Sequence, residues 1–349
     1  MGKKRKTLPK DFRELVQEGD MDKLKAVFDK CELDATNGYN KEVALTFFNI
    51  PNELVRWLVE SGADINMRDN YHRTPLHHHA MRISVDLAIF LELGADIEAQ
   101  DKYGNTPLHM AAETSPLAVR QLLDGGANVL TKNDSDETPL ESALARARNT
   151  DIVSLVPISE MLLNVGTPAT EKMRKEVLRI GENFEFHRER FNRELLPETD
   201  AALMRLYEIF KVTPVAKRKI HDGVSPIEVT TGPWNKQYGE LWSLLIPSSG
   251  AAKTVQGEVI RITGRVSDEL QRNGGANWDA DYKNMLLALP QHFQMGVPLE
   301  SDYLEEVGRI IKDGRNMADE DLTRLCELAV KWVIANQMPI QLGKVVYSR

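Results

Sequence analysis

Thr74-Pro75-Leu76-His77 recurs 32 residues later as Thr106-Pro107-Leu108-His109, and after another 32 residues as Thr138-Pro139-Leu140-Glu141. Self-similarity at a fixed spacing of roughly 20–50 residues is typical of proteins built from stacked repeats. In each copy the threonine can cap a helix, the proline occupies the first turn, where its missing N–H costs nothing, and the leucine begins the buried face. The spacing therefore predicts an array of short helical units.

A second marker keeps the same spacing and predicts where each unit ends. It reads Gly62-Ala63-Asp64-Ile65, then Gly94-Ala95-Asp96-Ile97, then Gly126-Ala127-Asn128-Val129. Glycine readily takes the left-handed conformation that ends a helix. Because no unit of this size can bury its apolar face alone, we expect neighbouring units to stack.

The two markers resemble those of the ankyrin-repeat family. The resemblance implies a helix, a turn, a second helix and a projecting hairpin in each unit. Residues 19–24 resemble a degenerate first repeat, a second repeat should start near Val43, and Gly166 ends a last repeat after an insertion of about eight residues between Arg146 and Pro157. We predict about five repeats over residues 11–166, with the first and the last degenerate.

One position departs from the family pattern. The family carries a glycine two residues before the threonine, as at Gly104, but His72 and Asp136 stand there in the other two units. The position requires a positive φ, which His and Asp accept more readily than most residues with side chains. We therefore predict that both units fold as repeats, with some strain.

The resemblance also implies a partner-binding surface. In the family, the hairpin tips and first helices line a concave face that grips partner proteins. The matching positions in this chain are Asn70, Tyr71, Arg73, Met81 and Arg82 in one unit and Lys102, Tyr103, Asn105, Glu113 and Thr114 in the next. Tyrosine and arginine often anchor protein interfaces. The alternative is that these residues are ordinary solvated tips.

Charge and composition narrow the class of partner. The 44 Lys and Arg against 52 Asp and Glu give a net charge of −8, which disfavours binding to nucleic-acid phosphates. Nowhere do about 18 apolar residues run together, so we predict no membrane-spanning helix. Cys31 and Cys326 form neither a disulfide framework nor a metal-ligand spacing, and a reducing cytoplasm fits best.

The chain begins with a basic cluster at residues 3–6. No apolar run follows it before Phe12, which argues against a secretory signal. We predict that residues 1–10 form a flexible basic tail, with a nuclear address as the alternative.

Candidate catalytic and metal-binding residues are few. His77-His78-His79 suggests a metal site, but consecutive side chains on a helix point about 100° apart, and the resemblance gives the histidine of this motif a structural role. Lys253-Thr254 lacks the glycines of a phosphate loop. Asp279 and Asp281 could bind a cation, although Asp279 is also well placed as a helix cap. We predict no metal, no cofactor and no catalytic residue.

Residues 167–349 lack the repeat spacing, and their apolar periodicity predicts a second, mainly helical domain. Apolar residues at helical spacing over residues 173–195 predict one long helix that ends at Pro197. A second helix is predicted before Pro214. Closely spaced Gly and Pro residues predict an irregular segment over 213–234. Four further helices are predicted over residues 238–245, 254–272, 279–289 and 319–333.

These patterns predict an all-α protein, an ankyrin-repeat solenoid followed by a second, mainly helical domain. The favoured function is a non-enzymatic interaction module that binds, scaffolds or inhibits a partner protein through the concave face. More specific versions of this function are an inhibitor and an immunity protein against a toxin. One alternative is an enzyme whose second domain acts on a small molecule or on a protein delivered by the repeats, in a pocket lined by Arg261, Arg265, Glu258 and Asp281. Another is that the repeats bind the C-terminal domain of the same chain and hold it inactive.

Overall fold

The chain divides into two units. A computed structural model describes residues 3–83 and 85–347. The first unit extends to Phe184 and includes Phe191–Val215, and the second comprises Glu185–Arg190 and the chain from Ala216 onwards. The predicted boundary at residue 166 therefore lies inside the first unit.

Helices make up most of the first unit. The first three lie in the segment where degenerate repeats were predicted, and the later ones come in pairs. They are α1 Phe12–Glu18, α2 Met21–Lys30, α3 Asn52–Glu60, α4 Pro75–Ala80, α5 Ala88–Glu92, α6 Pro107–Thr114, α7 Pro116–Asp124, α8 Pro139–Arg146, α9 Ile152–Asn164, α10 Glu171–His187 and α11 Leu196–Phe210.

The repeated threonines cap helices, as the sequence predicts. The hydroxyl oxygen of Thr138 accepts a hydrogen bond from the backbone N–H of Glu141, and the Glu141 carboxylate accepts one from the Thr138 N–H. Capping boxes also begin α4 and α6, where His77 and His109 take the place of the glutamate. Each box satisfies backbone donors that a helix start leaves unpaired.

The positive-φ prediction is confirmed. His72 and Asp136 both adopt a φ of 58°, and Gly104 adopts 74°. These residues sit in the turn of each hairpin, where the chain reverses before the next first helix. The replacement of glycine therefore leaves the hairpin geometry intact.

A small sheet precedes the repeats and was not predicted. Strand β1 (Arg5–Thr7) runs parallel to β2 (Cys31–Asn37), which pairs antiparallel with β3 (Glu42–Val43). Leu8 follows β1, is buried, and its N–H donates to the Thr36 carbonyl at 3.0 Å. Residues 5–8 are therefore held by backbone pairing and burial, in contrast to the flexible tail predicted for residues 1–10.

The end of the repeats also differs from the expected pattern. The second helix of the last repeat, α9, has 13 residues against nine in α7, so part of the inserted chain lengthens a helix that contains Pro157. The predicted single helix over 173–195 instead ends at His187. Pro197 lies in the first turn of α11 rather than stopping a helix, because a proline there loses no intrahelical hydrogen bond.

The second unit is a bundle of five α-helices in the described part of the chain. Four of them match the predicted segments, and α15 was not predicted. Helix α13 lies against α12, α14 and α16. No helix described, in either unit, is long and apolar enough to cross a membrane. The five helices are α12 Trp234–Leu245, α13 Val255–Gln271, α14 Ala280–Phe293, α15 Ser301–Ile310 and α16 Asp319–Ala335.

Candidate functional site: a groove across three repeats

Backbone hydrogen bonds join the hairpin tips of successive repeats. The N–H of Lys102 donates to the Tyr71 carbonyl at 2.8 Å, and the N–H of Asp134 donates to the Tyr103 carbonyl at 3.0 Å. An equivalent bond links Asn70 to the segment before the first clear repeat. The tips therefore form a continuous edge, and side chains one repeat apart lie side by side along it.

A carboxylate or amide at the base of each tip fixes the turn. Oδ1 of Asp69 accepts the backbone N–H groups of the residues two and four positions later, at 2.7 and 2.9 Å. Asp101 does the same at 2.8 and 2.9 Å, and Asn133 at 3.0 and 3.1 Å. Because an amide oxygen serves at Asn133, the turn needs an oxygen acceptor and not a negative charge.

The buried histidines connect one repeat to the next. His77 Nδ1 accepts the Thr74 N–H, so its Nε2 carries the proton and donates to the Asn105 carbonyl at 3.0 Å. His109 repeats this arrangement one unit later, with the Glu137 carbonyl as acceptor at 3.0 Å. Burial lowers the pKa of His77 to about 4, so the ring is neutral at pH 7.

The other two histidines of the triplet have separate partners. His78 Nε2 lies 3.0 Å from Asp69 Oδ2, and His79 Nε2 donates to the Leu45 carbonyl at 2.8 Å. Burial lowers the pKa of both rings, to about 4 for His79. The three rings therefore point to three different places. In the described chain no group of three or more His, Cys, Asp or Glu is arranged to hold a metal ion.

The tips and first helices enclose a groove of about 630 Å³. Five of the ten predicted partner-binding residues line it, namely Tyr71, Arg73, Tyr103, Asn105 and Glu113. Glu113 and Thr114 also line a smaller cavity of about 140 Å³ between α6 and the end of α8. We call the larger cavity the repeat groove.

The other five predicted residues do not line the repeat groove. Asn70 and Lys102 are exposed at the tips. Arg82 lies over the Phe48 ring at 5.6 Å, and the Met81 carbonyl accepts the Thr114 hydroxyl at 3.2 Å.

Seven residues that line the repeat groove were missed by the sequence analysis. The repeat spacing could have found several of them: adding 32 to Lys102, Tyr103 and Thr114 gives Asp134, Ser135 and Arg146. The predicted residues come from two repeats, whereas residues of three repeats line the groove. The missed residues are Asn40, Asp101, Met110, Asn133, Asp134, Ser135 and Arg146.

Family comparisons agree with this geometry. An "Ankyrin repeats (3 copies)" family model matches residues 80–161, and an "Ankyrin repeats (many copies)" model matches residues 51–92. Residues 51–161 are ankyrin repeats. No curated protein matches the chain significantly. Ankyrin repeats are protein–protein interaction modules, so the first unit carries such a module.

The two arginines that line the repeat groove already have partners within the fold. Arg73 Nε binds Asp69 Oδ2 at 3.2 Å, and its guanidinium lies 4.8 Å from the centre of the Tyr71 ring. Arg146 binds Glu137 at 3.2 Å and approaches Glu113 at 3.6 Å. Burial raises the pKa of Glu113, although Arg146 opposes this effect.

We expect Gly104→Ala to destabilise the first unit more than Gly126→Ala. Both glycines have a positive φ, which costs about 1 kcal/mol for alanine. A Cβ at Gly104 would lie 2.8 Å from Asp134 Oδ1 and 2.9 Å from the Asp134 nitrogen, whereas a Cβ at Gly126 meets nothing within 4 Å. The added clash should cost a further 1–3 kcal/mol or so. Urea unfolding followed by circular dichroism measures the difference, and equal losses would contradict the close approach.

The second unit contains a buried ion pair on α13. Glu258 and Arg261 have no exposed side-chain surface. Glu258 Oε1 accepts Arg261 Nη2 at 2.6 Å, and Oε2 accepts both Arg261 Nε and the N–H of Ala252, each at 2.9 Å. The carboxylate is therefore fully hydrogen-bonded inside the protein.

The other two residues of the pocket expected for an enzyme, Arg265 and Asp281, lie on α13 and α14. Arg265 follows on the same helix, and burial together with the neighbouring Arg261 lowers its pKa. Asp281 lies in the first turn of α14, where its N–H donates to the Asp279 carboxylate at 3.0 Å. Asp279 thus caps α14, which is one of the two roles predicted for it.

Proposed function

We propose that this chain is a non-enzymatic binding protein whose repeat groove binds a segment of a partner protein. The observation that carries the proposal is the continuity of the repeat groove, which is lined by residues of three successive repeats and presents Tyr103 with 54% of its surface exposed. A partly exposed tyrosine beside hydrogen-bonding groups is a common anchor of protein interfaces. Binding of this kind would scaffold the partner or block its surface.

Hydrogen bonds in the second unit also favour a binding protein over an enzyme. Both carboxylate oxygens of Glu258 are occupied by donors of the chain itself. A general base needs an oxygen that can reach a substrate proton. The buried pair is therefore better suited to holding α13 in place than to catalysis. An inhibitor or immunity role remains a narrower form of the proposal.

Affinity capture tests the proposal. We expect a partner captured from a native lysate by the full chain to be lost with a Tyr71→Ala/Tyr103→Ala variant, because anchor tyrosines each contribute about 2 kcal/mol or more to binding. Leu117→Ala is the matched control, since Leu117 is also exposed but lies on α7 and does not line the groove.

Quantitative mass spectrometry of the captured proteins provides the measurement. A protein retained by wild type and Leu117→Ala but depleted about tenfold or more with the tyrosine variant supports the groove as the binding site. Equal capture by all three proteins would show that the partner binds elsewhere.

A further inference from the structure

The acidity of this chain is concentrated in the ankyrin repeats. Residues 51–166 contain nine Lys and Arg against 17 Asp and Glu, a net charge of −8. This equals the net charge of the whole chain, so the remaining residues are neutral together. A surface of one sign attracts partner segments of the opposite sign and repels like-charged ones.

The first clear repeat binds one of its own arginines between a carboxylate and an aromatic ring, and the next repeat has the carboxylate and the ring without an arginine. In the first clear repeat, Asp69 Oδ2 binds Arg73 at 3.2 Å and His78 at 3.0 Å, and the guanidinium of Arg73 lies over the Tyr71 ring. A carboxylate and an aromatic face thus hold one arginine, an arrangement that favours a planar cation.

The equivalent residues one repeat later keep the carboxylate and the aromatic ring but not the cation. Asp101 and Tyr103 replace Asp69 and Tyr71, whereas Asn105 and Met110 stand in place of the arginine and the histidine. Asp101 is 7% exposed, and the one hydrogen bond that its Oδ2 accepts from the described residues comes from the Asn105 amide at 3.4 Å. Within residues 3–83 and 85–347 no cation lies over the Tyr103 ring.

More negative charge surrounds this open site. Asp134 is exposed, follows Tyr103 along the edge of tips, and lines the same groove as Glu113. Arg73 is bound to Asp69, and Arg146 is bound to Glu137 and approaches Glu113 at 3.6 Å, so neither arginine is paired with Asp101 or Asp134. A cation that enters beside Tyr103 therefore meets Asp101 and Asp134 without displacing an existing pair.

We propose that the repeat groove binds an arginine of a partner protein's peptide segment, with the guanidinium on the Tyr103 ring and bonded to Asp101 Oδ2. The arginine takes the place that Arg73 fills in the preceding repeat. This inference rests on the proposed function, since it names the chemistry of the segment that the groove takes.

Peptide binding to the full chain tests the inference. The probes are two pools of fluorescent twelve-residue peptides with random flanking residues, one with arginine fixed at the central position and the other with citrulline. Citrulline has the shape of arginine without its charge. Fluorescence anisotropy should give an affinity about tenfold higher for the arginine pool, and the difference should shrink between about 50 mM and about 300 mM salt.

Two variants locate the binding. Asp101→Asn removes the charge but keeps the turn, because Asn133 holds the equivalent turn with an amide. Asn105→Arg supplies an arginine from the chain itself, in the manner of Arg73. Both should abolish the preference for arginine over citrulline, whereas Asp124→Asn, which removes an exposed charge on α7, should preserve it.

The outcomes separate the two proposals. Equal affinity for both pools, or a preference that survives Asp101→Asn and Asn105→Arg, overturns the arginine site. Failure of the arginine pool to bind overturns it as well. The capture experiment with the tyrosine variant tests independently whether the repeat groove binds a protein. That proposal can therefore hold even when the arginine site is ruled out.

Discussion

Glu258→Ala is expected to lower the free energy of unfolding of the second unit by about 3–5 kcal/mol. The substitution leaves the Arg261 guanidinium buried without its carboxylate, and it removes the acceptor of the Ala252 N–H. The Tyr347 ring, 5.8 Å from the Arg261 guanidinium, cannot replace an ion pair. The cost therefore comes mainly from a buried charge that has lost the Glu258 carboxylate.

A double substitution distinguishes this cause from a loss of packing. Glu258→Met/Arg261→Met removes both charges and keeps apolar side chains of considerable length, so we expect it to recover most of the lost stability. A residual loss of about 1–3 kcal/mol should persist, because the Ala252 N–H stays unpaired. A double variant as unstable as Glu258→Ala would show that the ion pair is not the source of the effect.

Tryptophan fluorescence can follow the second unit separately. Four of the five tryptophans, Trp234, Trp242, Trp278 and Trp332, lie in it, and only Trp57 lies in the first unit. In a Trp57→Phe background, urea unfolding monitored by fluorescence reports the second unit alone. The variants are then compared by their midpoints at equal slopes.

The sequence was most informative where one local pattern determines the backbone. The repeated threonine-proline start and the glycine end of each unit predicted the repeats, because capping and positive φ depend on a few adjacent residues. Strands β1 to β3 escaped prediction because they are short and paired with distant residues. Helix α15 was overlooked although Tyr303, Leu304, Val307 and Ile310 carry a helical spacing.

The candidate site was predictable in part for a similar reason. Residues of the two clearest repeats were found by the family resemblance, and half of them line the groove. The contribution of Arg146 and Asp134 depends on how the third repeat stacks on the second, which a motif within one repeat does not specify. The open position beside Tyr103 becomes visible only when side-chain contacts are compared between repeats. The preceding repeat contains Arg73 and His78, which bind its carboxylate, and the repeat of Tyr103 lacks both.

We expect the first unit to lose about 4 kcal/mol of stability between pH 7 and pH 5 from His77 and His79 alone. Burial holds the pKa of each ring at about 4, whereas the unfolded chain has the ordinary value of about 6.5. Below pH 6.5 the unfolded chain binds protons that the folded chain does not, so stability decreases as the pH falls towards 4. Above pH 6.5 both states are neutral and stability is unaffected by these rings.

His79→Gln isolates one ring. The glutamine amide can donate to the Leu45 carbonyl but does not titrate, so the loss between pH 7 and pH 5 should be smaller by about 2 kcal/mol. Stability at pH 7 will also fall because the contact between His79 and Phe90, with ring centroids 4.4 Å apart, is lost. The slope with pH, and not the value at pH 7, is therefore the informative quantity.

Pulse-labelled hydrogen exchange with mass spectrometry confines the measurement to the first unit. Protein equilibrated in urea at pH 7 or pH 5 is labelled briefly at one common pH, and the unfolded fraction is read from peptides that cover α4. At pH 5 the carboxylate of Asp69 stays ionised, because hydrogen bonds and Arg73 hold its pKa below the usual range. A pH dependence identical in wild type and His79→Gln would mean that the His79 ring is not held neutral, and the acid sensitivity would then have to come from other groups.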